Sequence, residues 1–219
     1  MNIKSIKNEL QNILSGTSGY SYDAVIQAVT NHLRTSERTS PMAEGKHENK
    51  AKETEKLIAF ATKNDLFYDE INESQYISQG AEQKVYIKED KYVIKLNDAI
   101  YYASWEDYFH NLLLHNYFFA DTAYQLLGFH KLENTLYAVV KQNYVKANEP
   151  TDLADVNSFL ESNGFANTKN HDYYHSKLGI ILEDLHDENV LTEQGILYFI
   201  DTVFYVKPKV FWSEKDISI

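Results

Sequence analysis

The sequence predicts an α+β fold in which helices come first and antiparallel strand pairs follow. Two observations carry this. Over the first sixty or so positions apolar residues recur at three- and four-residue steps, the repeat of a helix, whereas from residue 76 the chain breaks into short β-rich runs set close together in pairs. A third is the single long aromatic-rich segment between those pairs, whose bulk requires burial against a sheet.

Each element has its own signal. In NIKSIKNELQNIL (2–14) the residues Ile3, Ile6, Leu10, Ile13 and Leu14 fall on one helical face. A second helix starts near Ser21 and runs through DAVIQAVTNHL, and a polar segment over 35–50 with Pro41 and Gly45 reads as a linker. A third helix spans about 47–64, and the change of character near 65–75 marks a boundary. Strands are predicted at 83–88 and 91–96 around the polar pair Glu89-Asp90, and the aromatic helix at about 101–118. TAYQLLGFHKL and TLYAVVKQNYV form two more strands around Glu133-Asn134. A helix follows in TDLADVNSFLESNGF, capped by Thr151 or Asp152 and ended by Gly164. The last hairpin is NVL-TEQG-ILYFID. Three units result: a helical extension over 1–64, a sheet-bearing unit over 65–145, and a short unit over 146–219.

Composition narrows the function. With 43% apolar and 14% aromatic residues the chain can build a packed core. Its formal charge of −11 argues against a general grip on nucleic acid, because a phosphate backbone rewards clustered Lys and Arg. The absence of Cys removes disulfides, thiolate nucleophiles and cysteine-zinc sites. The N-terminal residues lack the apolar run of a signal peptide, and no stretch reaches the roughly twenty apolar residues of a membrane span. A cytoplasmic setting with no membrane partner is expected.

The richest stretch chemically is LEDLHDENVL (182–191), followed by YFID. If TEQG turns the chain, Val190 and Leu191 pair with Ile196 to Phe199, and Asp184, Asn189 and Asp201 gather at one end. Two carboxylates and an amide carbonyl there form an oxygen-ligand set suited to Mg²⁺. On hairpin geometry alone the simpler account is that Asp184 and Asp187 belong to an exposed loop and Asp201 caps a turn.

The Asp-x-x-x-x-Asn spacing, followed by an apolar pair and a strand ending in Asp, resembles the catalytic loop and metal-binding Asp of the protein-kinase-like superfamily, with the flavour of its aminoglycoside-phosphotransferase-like branch. The resemblance covers about 76–206. LLGF, KQNYV and the compact hairpin look like the kinase domain found in polyvalent proteins of phages and mobile elements. The resemblance implies ATP and Mg²⁺ as cofactors, an antiparallel-sheet N-lobe, one long helix and a truncated C-lobe. It implies Lys95 in YVIKL as the phosphate-contacting lysine, paired with Glu106 or the neighbouring Asp107. Gly80 would belong to a degenerate glycine loop, and Val85, Val93 and Leu191 would enclose adenine. The backbone around Gln142, Tyr144 and Val145 would hold the adenine edge. Asp184 would be the base, Asn189 and Asp201 would hold the metal, and His186 would bond phosphate or, more simply, brace the loop.

The pattern also departs from that family. About forty residues separate Val145 from Asp184 and eighteen follow Asp201. LED stands where His-Arg-Asp is usual, and Thr202 follows Asp201. The parts that orient a peptide are therefore expected to be missing, while the nucleotide partners remain. The acceptor is left open between a protein hydroxyl and a small molecule. One alternative is a pseudokinase-type nucleotide-binding or interaction module. Another is a zinc hydrolase, prompted by HDYYH (171–175), whose two His would share a helical face, although the simpler account is surface histidines in a polar loop. His110 and His115 read as packing residues.

Overall fold

The structure, a computed structural model, describes residues 2–16, 23–37, 46–79 and 83–207. Three helices open the chain: α1 (Ile3–Leu14), α2 (Ala24–Glu37) and α3 (Lys46–Asn64). Strands β1 (Tyr76–Gln79), β2 (Gln83–Lys88) and β3 (Tyr92–Asn97) precede helix α4 (Trp105–Phe118), and β4 (Gln125–Leu132) and β5 (Thr135–Asn143) follow it. The remainder holds α5 (Leu153–Ser162) and six short strands: β6 (Ala166–Lys169), β7 (Asp172–His175), β8 (Ile180–Glu183), β9 (Val190–Glu193), β10 (Ile196–Phe199) and β11 (Val203–Val206).

The fold is α+β with antiparallel sheets. The first five strands form one sheet in the order β1-β2-β3-β5-β4. Its hairpins turn on residues with positive φ, Glu89 (58°) and Asp90 (52°) between β2 and β3 and Glu133 (53°) between β4 and β5, which matches the twist of paired strands. Alternation along β3 sorts its side chains: Ile94 and Leu96 join Tyr86 and Val139 in one apolar cluster, so Val93 and Lys95 face the other way. By the same period Val85 shares their face, because Tyr86 lies in that cluster.

On the helix side of the sheet, α4 is the central beam. Trp105, Tyr108, Phe109, Leu112 and Leu113 are buried in a core that also holds Leu126, Phe129, Ala138 and Val140 of the sheet. The aromatic stripe is thus core. α1, α2 and α3 add Leu10, Ile13, Leu14, Ile26, Val29, Leu33 and Leu57 to the same core. The start of α4 is capped from two sides: Ser104 Oγ accepts from Asp107 N at 3.0 Å, and Glu53 of α3 accepts from Trp105 N at 2.6 Å. The Lys50 ammonium also donates to the Ala99 and Tyr102 carbonyls in the preceding turn. α3 then leads straight onto the sheet, where Phe129 N donates to Leu66 O at 2.8 Å and Tyr68 N to Phe129 O at 2.7 Å.

After α5, residues 166–206 carry a four-stranded sheet, β11-β8-β7-β6, and the separate β9-β10 hairpin. The β9-β10 turn needs positive φ at both Gln194 (53°) and Gly195 (74°). Asn111 of α4 accepts from Phe204 N at 2.8 Å, tying the beam to β11. HDYYH lies mostly in β7, neither a helix nor a polar loop: Tyr173 and His175 alternate inward at a period of two, and His175 packs edge-on against Phe165. No described helix is long and apolar enough to cross a membrane.

Candidate active site

A cleft of about 310 Å³ opens between the five-stranded sheet and the β9-β10 hairpin. Val85 from β2, Val93 and Lys95 from β3, Gln142 from the end of β5, Tyr144 and Val145 after it, and Leu191 from β9 all line it, together with Asn189 and Asp201. Hydrophobic alternation explains the walls, since the β-branched Val85 and Val93 stand on the sheet face away from Ile94 and Leu96. Beyond β5 the chain stays close to the sheet, with Tyr144 N donating to Lys91 O at 2.8 Å.

Among the described residues Lys95 is the only ammonium lining this cleft, and it is 4% exposed. Burial of an ammonium is costly unless oxygen ligands replace water. Its Nζ donates to Ile200 O at 2.8 Å and lies 3.9 Å from Asp201 Oδ2, with the Tyr124 ring centroid at 5.3 Å. Asp201 also accepts from the Gln83 side-chain amide of β2, so both lysine and glutamine converge on it from the sheet.

The loop between β8 and β9 is built on local hydrogen bonds. Asp184 adopts φ 67°, which turns the chain out of β8. Asn189 Nδ2 donates back to Asp184 O at 2.8 Å and to Asp184 Oδ2 at 2.9 Å. Glu188 N donates to His186 Nδ1 at 3.3 Å, and His186 Nε2 lies 3.3 Å from Asp184 Oδ1. His186 therefore braces the loop. Asn189 O accepts from Ile200 N at 2.9 Å and Asp201 N at 3.3 Å, which fixes Asp201 beside the loop across the β9-β10 hairpin.

The loop fronts a second cleft of about 490 Å³, lined by Asp184 and His186 with Tyr101, Tyr102, Asp172, Glu183 and Tyr205. Gln83, Glu188, Asn189 and Asp201 line both clefts, so the two spaces adjoin at these four side chains. Burial pushes the Glu183 carboxyl up from its ordinary value, helped by the negative charges of Asp172 and Asp184.

Oxygen chemistry of the shared edge suits a hard divalent cation. Asn189 directs its amide nitrogen to Asp184, so its Oδ1 would be the atom to ligate a cation, and Asp201 would add carboxylate oxygens from the same cleft lining. Two protein oxygens fit the habit of Mg²⁺, which keeps waters and substrate phosphates for its other positions. Among the described residues no group of three His, Cys, Asp or Glu side chains could hold a metal. The strand geometry of 172–175 also removes the shared helical face on which a zinc site at HDYYH depended.

The acid expected opposite Lys95 has another contact: Glu106 Oε1 accepts from Arg34 Nε of α2 at 2.5 Å and lies 3.5 Å from His110 Nε2. The reason is its place in the first turn of α4, which the N-terminal helices cover. Gly80 lies outside the described residues.

Sequence reasoning missed the buried polar residues behind Asp201. His115 packs against Phe119 and Tyr124 as expected, and in addition its Nδ1 lies 2.7 Å from Thr202 Oγ1 and its Nε2 3.0 Å from Thr122 O. Burial, together with the nearby Lys95 charge, pushes its pKa down to about 3 despite the Thr122 hydrogen bond, so the ring is neutral. Nothing in the spacing of these residues signals that they meet.

Comparison with known proteins agrees with the resemblance in the chain. Neither the curated proteins nor the solved structures contain a match. A family model, described as serine/threonine/tyrosine kinase found in polyvalent proteins, matches residues 50–208, a span that starts within α3 and takes in both clefts. With most of its length matched, the chain belongs to the family of kinases found in polyvalent proteins.

Proposed function

We propose that the chain is an ATP- and Mg²⁺-dependent phosphotransferase acting on a hydroxyl acceptor. The observation that carries this reading is the convergence of Lys95, Asn189 and Asp201 at one edge of an apolar-walled cleft, with Asp184 just beyond that edge. Family membership supports kinase-type phosphoryl transfer in general. Nucleotide, metal and acceptor are the finer part of the proposal.

Phosphoryl transfer asks a protein mainly for positioning and charge, so few residues suffice. Val85, Val93 and Leu191 offer apolar surface to a flat base, and the backbone from Gln142 to Val145 offers donors and acceptors at its edge. Lys95 brings the positive charge that phosphate oxygens require. Mg²⁺, held by Asn189 and Asp201, would supply charge neutralisation along the phosphates. Asp184 faces the second cleft, and its side chain keeps 58% of its exposure. Both of its oxygens are steadied by Asn189 and His186, and lone pairs remain for an acceptor hydroxyl. The acceptor oxygen bonds to the terminal phosphorus as the bridging bond to the leaving diphosphate breaks, and the hydroxyl proton passes to Asp184.

A second reading, a nucleotide-binding or interaction module without catalysis, has one observation in its favour: the Gln83 amide and the Lys95 ammonium already engage Asp201. Incorporation of labelled phosphate from ATP, measured beside nucleotide binding, separates the two. The first reading is tested by melting the protein with and without Mg-ATP. Wild type gains stability, and Asp201→Ala, still folded, gains none. An equal gain in that variant overturns the metal assignment.

A further inference from the structure

The residues around Asp201 are held by more than the β9-β10 hairpin. Phe199 O accepts from Thr122 Oγ1 at 2.5 Å. Ile200 O accepts from Tyr124 OH at 2.7 Å and from Lys95 Nζ at 2.8 Å. Thr202 Oγ1 meets His115 Nδ1 at 2.7 Å. Ile200 N and Asp201 N are taken by Asn189 O. Every residue from 199 to 202 is therefore pinned through the backbone or, at Thr202, through its hydroxyl.

Proton positions in the cluster follow from its acceptors. Thr122 O can only accept, so the neutral His115 ring carries its hydrogen on Nε2 and donates to that carbonyl at 3.0 Å. Nδ1 is then a bare acceptor, and Thr202 must donate to it. Gln142 Nε2 donates to the second lone pair of Thr122 O at 2.7 Å, which links the cluster to the end of β5 in the nucleotide-side cleft. His115, Thr122, Gln142 and Thr202 are each less than a tenth exposed, so these bonds exchange little with water.

We infer that His115, Thr122, Tyr124 and Thr202 are positioning residues that set the direction of the Asp201 carboxylate, so that metal affinity at Asp201 is built into the core between α4 and the sheet. The inference rests on the reading of Asp201 as a metal ligand. It assigns to buried side chains a task that Asp201 and its own hairpin do not perform alone. A carboxylate whose backbone swings freely holds a hard cation poorly, because Mg²⁺ tolerates little departure from octahedral geometry.

The test is a Mn²⁺ titration of the ADP-loaded protein, read as free Mn²⁺ by electron paramagnetic resonance, with metal-free ADP affinity and urea stability measured beside it. Thr202→Val removes the donor to His115 with little change of shape, Tyr124→Phe removes one hydroxyl from Ile200 O, and Thr202→Ser restores a donor. Thr202→Val is expected to weaken Mn²⁺ about tenfold, the effect of one lost buried hydrogen bond, while Thr202→Ser stays within about twofold. Tyr124→Phe moves the same way as Thr202→Val, and metal-free ADP affinity stays within about twofold in all three. Folded Thr202→Val and Tyr124→Phe proteins that bind Mn²⁺ as wild type does overturn the inference, while loss of Mn²⁺ in Asp201→Asn leaves the metal assignment standing. If Asp201→Asn binds Mn²⁺ normally, both fall. If neither hydroxyl variant folds, the inference also falls, because the cluster would then hold the core and not the ligand.

Discussion

Lys95 Nζ stands 3.9 Å from Asp201 Oδ2, joining the middle strand of the five-stranded sheet to the end of the β9-β10 hairpin. The pair is asymmetric. The lysine side chain is 5% exposed and the aspartate 27%, so the aspartate retains water when the ammonium is removed.

That asymmetry makes Lys95→Met informative. Ile200 O keeps its bond from Tyr124, and the lost ammonium no longer carries a desolvation cost. The variant is expected to lose no more than about 1–2 kcal/mol of stability. Affinity for a fluorescent ATP analogue should fall at least about tenfold, since a charge-assisted contact to phosphate is worth more than a neutral one. Undiminished binding would remove Lys95 from the nucleotide site.

Glu106→Gln separates this chain from the pattern in which an acid on the long helix pairs with the strand lysine. Glu106 is engaged with Arg34 and His110, and both its own and the Arg34 side chain keep roughly a quarter of their exposure. Nucleotide affinity is expected to stay within about twofold of wild type, with a stability loss of about 0.5–1 kcal/mol for a partly exposed pair. A large fall in affinity at unchanged stability would show that Glu106 reaches Lys95 when nucleotide binds.

Stability should fall as pH is lowered below about 6.5. Burial pushes His110 down to about 4, with the Arg34 charge adding to the effect, and His115 down to about 3. Both are neutral in the folded chain at pH 5.5, while unfolding lets both take up protons from pH 6.5 downward. The unfolded state therefore binds more protons in that window, and stability drops by about 1.4 kcal/mol per pH unit for each histidine. The slope fades above pH 6.5 and is nearly gone by about pH 7.5, where the unfolded imidazoles are also neutral. His175, also lowered by burial, acts in the same sense, whereas the raised carboxyl of Asp23 acts oppositely and only in the carboxylate range. Urea unfolding at pH 7.5, 6.5 and 5.5 measures this, and a flat profile between the last two would contradict the buried neutral histidines.

Gly128→Ala should be among the costliest single-methyl changes. Gly128 has φ 150°, and a Cβ there would stand 2.2 Å from Leu66 O, which already accepts from Phe129 N. The chain after α3 would have to leave β4. An expected loss of about 2–4 kcal/mol follows from strain plus a broken backbone contact, readable as a lower urea midpoint. A loss under about 0.5 kcal/mol would mean that the contact is soft.

The two sheet hairpins were legible because KVYIKEDKYVIKL and GFHKLENTLYAVV pair β-formers around a polar dipeptide, and local alternation needs no distant partner. The Asp-x-x-x-x-Asn spacing is a local signal of the same kind, since Asp184 and Asn189 bond to each other within five residues. HDYYH was not legible as a strand because His at i and i+4 suits a helix and polar flanks suit a loop, whereas the burial of Tyr173 and His175 follows from pairing with β8. The contact of Glu106 with Arg34 was not legible because Arg34 lies on α2, on the far side of a polar linker.

Periodicity and residue chemistry were enough to specify an α+β chain with a buried lysine strand, an oxygen-rich loop and a closing hairpin, because these are properties of neighbouring residues. Packing of α2 and α4 against the sheet chose Arg34 for Glu106, and it assembled His115, Thr122, Tyr124 and Thr202 behind Asp201. Those choices depend on which buried polar atoms meet once water is expelled, and an unpaired one is too costly to leave, so the assembled core selects partners that spacing along the chain does not encode.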